Sequence, residues 1–361
     1  MTDAARRARL SPLLDAARML RNPNADAGRA LRARLAETTG LSRENIELGL
    51  SRCLEAEPTE PELARLLETT PESPRAHVLL SANVFVAPLR AIAIGIASSE
   101  QVSVRASRRD PALAEALHAL APATFQLVSE LQPRAGEHYW AYGSDPTLAE
   151  LRRALPSGVW FHPHGAGFGA AVLDASRVDE AELSALALDT ALFDQRGCLS
   201  PRLVCVQGSS ARARAIAQML AAELSERERE LPCGARTPGE RAEMRRQRDA
   251  AAYAFELFDA GSGWVTCSVD VALPPSGRHL HVVPTADALG VLAPYERHLT
   301  CIGASAAPTL VHDLKQRFPR ARVTALGAMQ RPPLDGPVDL RQAAAGELLG
   351  LRPTTAPDPS A

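Results

Sequence analysis

The stretch FDQRGCLSP, residues 193–201, puts a cysteine where an apolar, helix-patterned run (DEAELSALALDTALF, residues 179–193) comes to an end. The helical pattern stops at Gly197, Cys198 follows at once, and a proline turns the chain three residues later. A thiolate at such a corner is a nucleophile suited to acyl carbons, and irregular backbone leaves its own N–H free to face a substrate. The competing reading is a small buried hydrophobe, the commoner fate of cysteine. Cys205 in the apolar run LVCV, and Cys267 and Cys301 in similar runs, fit that second reading. The six cysteines are scattered with no CxxC pair. This argues against a zinc site or a disulfide framework and fits a reducing compartment.

Other residues suggest other chemistries. His162 with His164, and His279 with His281, have the i,i+2 spacing that puts two rings on one face of a strand, but neither pair has an obvious third ligand nearby, so no metal is expected. Lys315 is the only lysine and sits in HDLKQRFP, an ordinary amphipathic helix, which leaves no Schiff-base or P-loop lysine. In YGSDPTLAELRR, Gly143 and Ser144 precede a helix expected to be capped by Asp145 with Pro146 in its first turn. That is either a plain capped helix or an anion site using free N–H groups and the helix dipole. VSVRASRRD clusters Arg105, Arg108 and Arg109 with Ser107, as a solvated patch or as guanidinium forks for a phosphate monoester. HGAGFGAAV contains GxGxG, but strand-like AAVLD follows where a dinucleotide fingerprint requires a helix. A hinge or a close-approach loop between lobes is the better reading.

These residues must be positioned by a chain of 361 residues, 46% hydrophobic, 23% charged and 4% aromatic. That is globular composition with room for two to three domains. A net charge of −2 without long charged runs excludes nucleic acid or an anionic membrane as the main partner. The N-terminal residues lack a signal-peptide apolar region and no run of 18 apolar residues occurs, so a cytoplasmic protein without membrane insertion is expected. Residues 1–70 read as helices, including one capped by Ser42. From residue 76, AHVLL, APLRAIAIGIAS and EQVSVRAS read as strand, helix and strand, a βαβ unit of a parallel sheet. DPALAEALHALA is the next helix and TFQLVSE the next strand. PRLVCVQ, WVTCSVDV, HLHVVP, HLTCIGAS and ARVTALG continue as strands beyond Cys198, around a charged helical stretch over 209–256. The tail RPTTAPDPSA is polar, proline-rich and expected to be disordered. The class is α/β, with two sheet-containing lobes.

Taken together, the segments resemble the aldehyde dehydrogenase superfamily, and within it the long-chain acyl-CoA reductases of the bioluminescence (LuxC-like) type. The resemblance spans about residues 40–340. It rests on the order of SANVFVAPLRAIAIGIASSEQVSVRASRRDP, YGSDPTLAELRR, FDQRGCLSPR and GAMQRPPLDGP. It implies an aldehyde-dehydrogenase-like fold with two Rossmann-like lobes: a helical segment over 1–70, a NAD(P)-binding domain over 71–168, a catalytic domain over 169–325 and a C-terminal segment over 326–361. It implies Cys198 as nucleophile, Asn83 in the oxyanion hole, Gly143 and Ser144 at the cofactor pyrophosphate, and Arg105 and Ser107 at its adenosine end.

The departures from that pattern are informative. The hydrolytic members' water-activating glutamate, some thirty-odd residues before the cysteine, has no counterpart in HPHGAGFG. The cofactor-strand lysine is Arg105, and the carboxylate expected shortly after it is Arg108, which suits a 2′-phosphate and so NADPH over NADH. No copy of the superfamily's glutamate–phenylalanine–glycine–proline element is found, and the chain is short for such a reductase. The expected activity is NADPH-dependent reduction of a fatty acyl-CoA or other acyl thioester to the aldehyde through a Cys198 acyl-enzyme. A CoA-acylating aldehyde dehydrogenase working oxidatively, and a non-catalytic acyl-binding subunit of an assembly, stay open beside it. An acyl carrier protein or an acyl-transferring enzyme stays open as donor, and the superfamily implies a homo-oligomer.

Overall fold

The structure is a computed structural model that describes residues 2–341 and 345–350. Five parallel strands build the first sheet: β1 (Ala76–Leu79), β2 (Val102–Arg105), β3 (Gln126–Leu127), β4 (His138–Tyr142) and β5 (Trp160–His164), in the order β5-β4-β1-β2-β3. The second sheet comprises β6 (Phe168–Asp174), β7 (Pro201–Gln207), β8 (Glu256–Ala260), β9 (Gly263–Cys267), β10 (His279–Thr285), β11 (Leu299–Ala304) and β12 (Arg322–Ala325). Their order is β12-β11-β6-β7-β10-β9-β8, parallel except for the β8–β9 hairpin. A final strand, β13 (Glu347–Leu348), returns to pair antiparallel with β5. The expected α/β class with two sheets is therefore what the chain adopts.

The βαβ unit read at residue 76 is β1, the helix Ala87–Ser98 and β2, with β1 and β2 parallel. That helix is apolar on all sides, and eleven of its residues are buried between the first sheet and the helix Asp3–Arg21. Gly95 permits the approach, since a Cβ there would lie 3.0 Å from methyl groups of Val78 and Val102. The second sheet packs the helices Glu180–Ala191 and Ser210–Glu230 on one face, with Leu173, Val204, Val265 and Val282 in that core.

Three expectations are corrected. Ser144, not Asp145, caps the helix Asp145–Ala154, its hydroxyl accepting from the Thr147 N–H at 3.4 Å. The Asp145 carboxylate instead accepts from the Ala166 N–H at 2.9 Å and ties down the crossing between the sheets. Second, β4, β8 and β13 appear where no strand was read; β8 begins at the end of the charged stretch, which is two helices, Ser210–Glu230 and Pro238–Ala254. Third, the helix before Cys198 ends at Ala191, not at Gly197. The proline-rich tail lies outside the described residues.

The glycine-rich run is the short link from β5 to β6. A Cβ on Gly165 would sit 2.2 Å from Asp145 Oδ1, and one on Gly169 would sit 2.3 Å from the Leu199 carbonyl. Only glycine fits at these two close approaches, one against the helix that follows β4 and one against the segment that precedes β7. The carboxyl edge of the first sheet thus faces the amino edge of the second.

Candidate active site

In an open parallel sheet, ligands gather at the carboxyl ends of the strands where the strand order reverses. Here the chain runs from β1 outward to β2 and β3, then returns to β4 and β5 on the other side of β1. The crevice therefore opens between the ends of β1 and β4. Asn83 follows β1, Gly143 and Ser144 follow β4, and His164 ends β5.

A cavity of about 550 Å3 lies there, between the two sheets. Asn83, Gly143, Ser144, His164, Cys198 and Asp339 all line it. Of the catalytic and cofactor-binding residues expected from the sequence, four are brought together, Cys198, Asn83, Gly143 and Ser144, and His164 of the first histidine pair joins them. Arg105, Ser107 and Arg108 are not part of this wall. They lie one strand further along the same sheet edge, Arg105 ending β2, Ser107 accepting from the Arg109 N–H at 3.2 Å, and Arg108 exposed.

Cys198 is placed by an unusual turn. Phe193, Asp194 and Gln195 all take left-handed backbone conformations, with φ of 54°, 51° and 60°. Non-glycine residues resist that region by roughly 1 kcal/mol or more each. The surroundings supply the compensation. Fully buried Asn45 accepts from the Phe193 N–H at 2.9 Å and donates to the Ala191 carbonyl at 3.1 Å. The Gln195 side chain donates to the carbonyls of Pro201 and His279 and accepts from the N–H groups of Gly277 and His279. Asp194 is ion-paired with Arg278, itself 2% exposed. The chain thus stops its helix with a buried polar clamp, and Gly197 has no positive φ at all.

The Cys198 thiol is pushed up to about 11. Burial is the main cause and the nearby Asp339 charge adds to it, while Arg341, the thiol's own backbone N–H and the Thr300 hydroxyl pull it back. Left to itself the thiol is protonated at neutral pH. Cys53, Cys205 and Cys301 are buried, Cys233 and Cys267 are partly covered, and burial raises each of these thiols.

Two carboxylates reach the cavity from segments the sequence did not flag. Asp339 is gripped by Arg341, whose Nε and Nη2 donate at 2.6 Å each. Glu55 pairs with Arg90 at 2.7 Å, and Arg90 also donates to the carbonyls of Pro332, Pro333 and Gly336. Arg90, from the buried helix, therefore straps the C-terminal segment over the site. One histidine of each pair finds another partner: His162 shares a 2.9 Å hydrogen bond with His138, and His281 bonds the Thr266 hydroxyl and the Asp270 carbonyl, while the ring nitrogens of His164 and His279 have none among the described residues. Among the described residues no group of three His, Cys, Asp or Glu side chains is arranged to hold a metal.

The turn between β4 and the helix Asp145–Ala154 leaves room for a phosphate. Gly143 has no positive φ, and a Cβ there would meet only Thr147 at 3.8 Å, so nothing in the chain's own packing requires glycine. What its bare backbone leaves open is the approach to the N-terminus of the helix Asp145–Ala154, where the helix dipole and the Asp145 N–H favour a phosphate; Pro146 has no N–H and the Thr147 N–H is taken by Ser144.

Comparison with known proteins agrees with this geometry. Residues 126–342, more than half of the chain, match the model of the acyl-CoA reductase (LuxC) family. The chain belongs to that family. No curated protein sequence matches. Among solved structures, an oxidoreductase from Marinobacter aquaeolei is similar over 96% of this chain and 85% of its own, with a TM-score of 0.66 at 12% identity. The NAD+ complex of an aldehyde dehydrogenase from Bacillus cereus is similar over 91% and 76%, with a TM-score of 0.64 at 13% identity. At those identities the likeness establishes the aldehyde dehydrogenase fold. Fold and family together make the chain an oxidoreductase of the acyl-CoA-reductase kind. No described helix is long and apolar enough to cross a membrane.

Proposed function

We propose that this LuxC-family reductase converts an acyl thioester to an aldehyde through a covalent acyl group on Cys198, with NADPH as reductant. The observation that carries the reading is the convergence of Cys198, Asn83 and the capped helix after Gly143 on one cavity between the sheets. Cys198 Sγ bonds the acyl carbon while the Asn83 amide and the Cys198 N–H hold the developing oxyanion. The thiol of CoA or of an acyl carrier leaves. Gly143 and Ser144 would hold the pyrophosphate of the cofactor, whose reduced nicotinamide would supply hydride. After reduction of the acyl carbon, Sγ departs from it and the aldehyde is released.

Retention of the acyl group until it is reduced requires that water not be activated beside the thioester. The two carboxylates at the cavity are each engaged by an arginine, Asp339 by Arg341 and Glu55 by Arg90. Asp339 has both oxygens taken by Arg341 and is no free base for hydrolysis, while Glu55 meets Arg90 through Oε1 alone and keeps Oε2 without a hydrogen-bond partner among the described residues. The cofactor preference rests on Arg105 and Arg108 flanking Ser107, with Arg108 exposed on the same sheet edge and able to fork onto a 2′-phosphate.

The test is NADPH oxidation across acyl-CoAs of different chain length, with NADH in parallel and Cys198→Ala as the control. Acyl-CoA-dependent oxidation with aldehyde formation, abolished in the variant, is the expected result. Turnover retained in a folded Cys198→Ala protein refutes the covalent route.

A further inference from the structure

Burial leaves His164 in an odd condition. It is 6% exposed, yet among the described residues neither ring nitrogen has a hydrogen-bond partner. Buried polar side chains are nearly always satisfied, and an exception calls for an explanation. Packing accounts for the ring's position, since it stacks on Tyr142 with centroids 4.6 Å apart and planes 10° from parallel. It does not account for the nitrogens. The neighbouring pair on the same two strands, Trp140 and His162, stacks in the same way, but there His162 has a hydrogen bond from or to His138. His164 alone ends its strand at the cavity that Cys198 lines. Asp339 and Arg341 act electrostatically on both His164 and Cys198, so the ring and the thiol share one small neighbourhood.

We propose that His164 is a catalytic acid–base residue that carries the proton from the Cys198 thiol to the departing thiol of the acyl donor. The inference rests on the covalent Cys198 reading above and assigns the proton that reading leaves without a carrier. In the step, a neutral imidazole nitrogen takes the Sγ proton as the sulfur electron pair bonds the acyl carbon. The carbon–sulfur bond to the donor then breaks, its electron pair leaving on the donor sulfur, and the imidazolium returns the proton there. A thiol and a thioester become a thioester and a thiol, with no oxidant or reductant involved. Burial holds the ring well below the ordinary histidine value, at about 4, so it is neutral at pH 7 with a nitrogen lone pair able to accept a proton. The titratable and charged groups around it are Tyr142 of β4, stacked on the ring, His162 two residues back on β5, and Asp339 and Arg341 from the C-terminal segment, with Cys198 lining the same cavity.

The step is isolated by leaving out the reductant. Acyl transfer from an acyl-CoA to Cys198 is followed by intact mass as a function of pH, for the wild type, His164→Asn and His164→Ala. The wild type is expected to acylate at a rate nearly flat from pH 6 to 8. His164→Asn should be slower by about 100-fold or more at pH 7. Its rate should climb about tenfold per pH unit, because only spontaneous ionisation of a thiol near 11 remains. Added imidazole should restore His164→Ala by filling the space beside Tyr142. A His164→Asn protein that matches the wild type in rate and pH profile overturns the proposal. So does a loss that imidazole does not relieve, which assigns His164 to packing. A wild type that takes no acyl group on Cys198 defeats the covalent reading itself, a different failure.

Discussion

The left-handed turn at residues 193–195 makes a quantitative prediction. Asp194 Oδ1 accepts from Arg278 Nε at 3.1 Å and Nη2 at 2.7 Å, and Oδ2 accepts from the Gly234 N–H at 3.0 Å. The two side chains are 4% and 2% exposed. In Asp194→Ala the guanidinium stays buried with Glu228 at 2.8 Å as its remaining carboxylate partner. Breaking one side of a buried pair costs about 3–5 kcal/mol, and the orphaned Gly234 N–H adds about 1 kcal/mol. Retained Glu228 offsets part of this, so a net loss of about 3–4 kcal/mol is expected. Arg278→Met in the same background removes the stranded charge, and the double variant should lose at least about 1.5 kcal/mol less than the sum of the single variants. Urea unfolding measures the stability, and the rate of Cys198 acylation reports whether the turn still aims the thiol. An Asp194→Ala protein within about 1 kcal/mol of wild type, or strict additivity in the double variant, refutes the clamp.

Three further predictions follow from the site and the buried histidines. Arg108→Glu should erode the preference for NADPH over NADH, read as the ratio of kcat/KM values; an unchanged ratio removes the 2′-phosphate argument. Gly143→Ala should leave the melting temperature within a degree or two, since its Cβ has ordinary clearance, but should raise the KM for the cofactor several-fold by crowding the helix N-terminus. On pH, burial holds His138 and His164 near 4, His279 near 3 and His162 near 2, all below the ordinary 6.5. The unfolded chain then binds more protons between 6.5 and about 4, so stability falls as pH falls through that window, by up to about 3 kcal/mol for each of His138 and His164. Asp189, pushed up to about 7 by burial, opposes them with one proton. Melting temperatures from pH 7.5 to 4.5 should decline below pH 6.5; a flat profile contradicts the buried neutral histidines.

Local signals carried much of this structure into the sequence. The β1–helix–β2 unit was legible because its period changes sharply and its helix is apolar on every side. The corner at Cys198 and the glycines of HGAGFG were legible because proline and glycine punctuate backbone geometry. HYWAY was missed as a strand because its histidine, tyrosines and tryptophan do not alternate apolar with polar; both faces are covered and the rings form a ladder with β5. The cap at Ser144 lay one residue from the expected Asp145, as competing side chains in a Ser-Asp pair allow. The turn at 193–195 was illegible for a different reason: Asn45, Gly234 and Arg278, far away in the chain, enforce it. The same holds for Asp339 and Arg341, and for His164, which the spacing of its pair suggested only as a metal ligand.

The most direct test of the account is the acyl-enzyme itself. Purified protein is incubated with an acyl-CoA in the absence of reductant, and intact mass followed by peptide mapping locates any adduct. The account predicts one acyl group per chain, on Cys198, that is lost as aldehyde when NADPH is added. An active protein that never carries the group, or carries it on another cysteine, contradicts it.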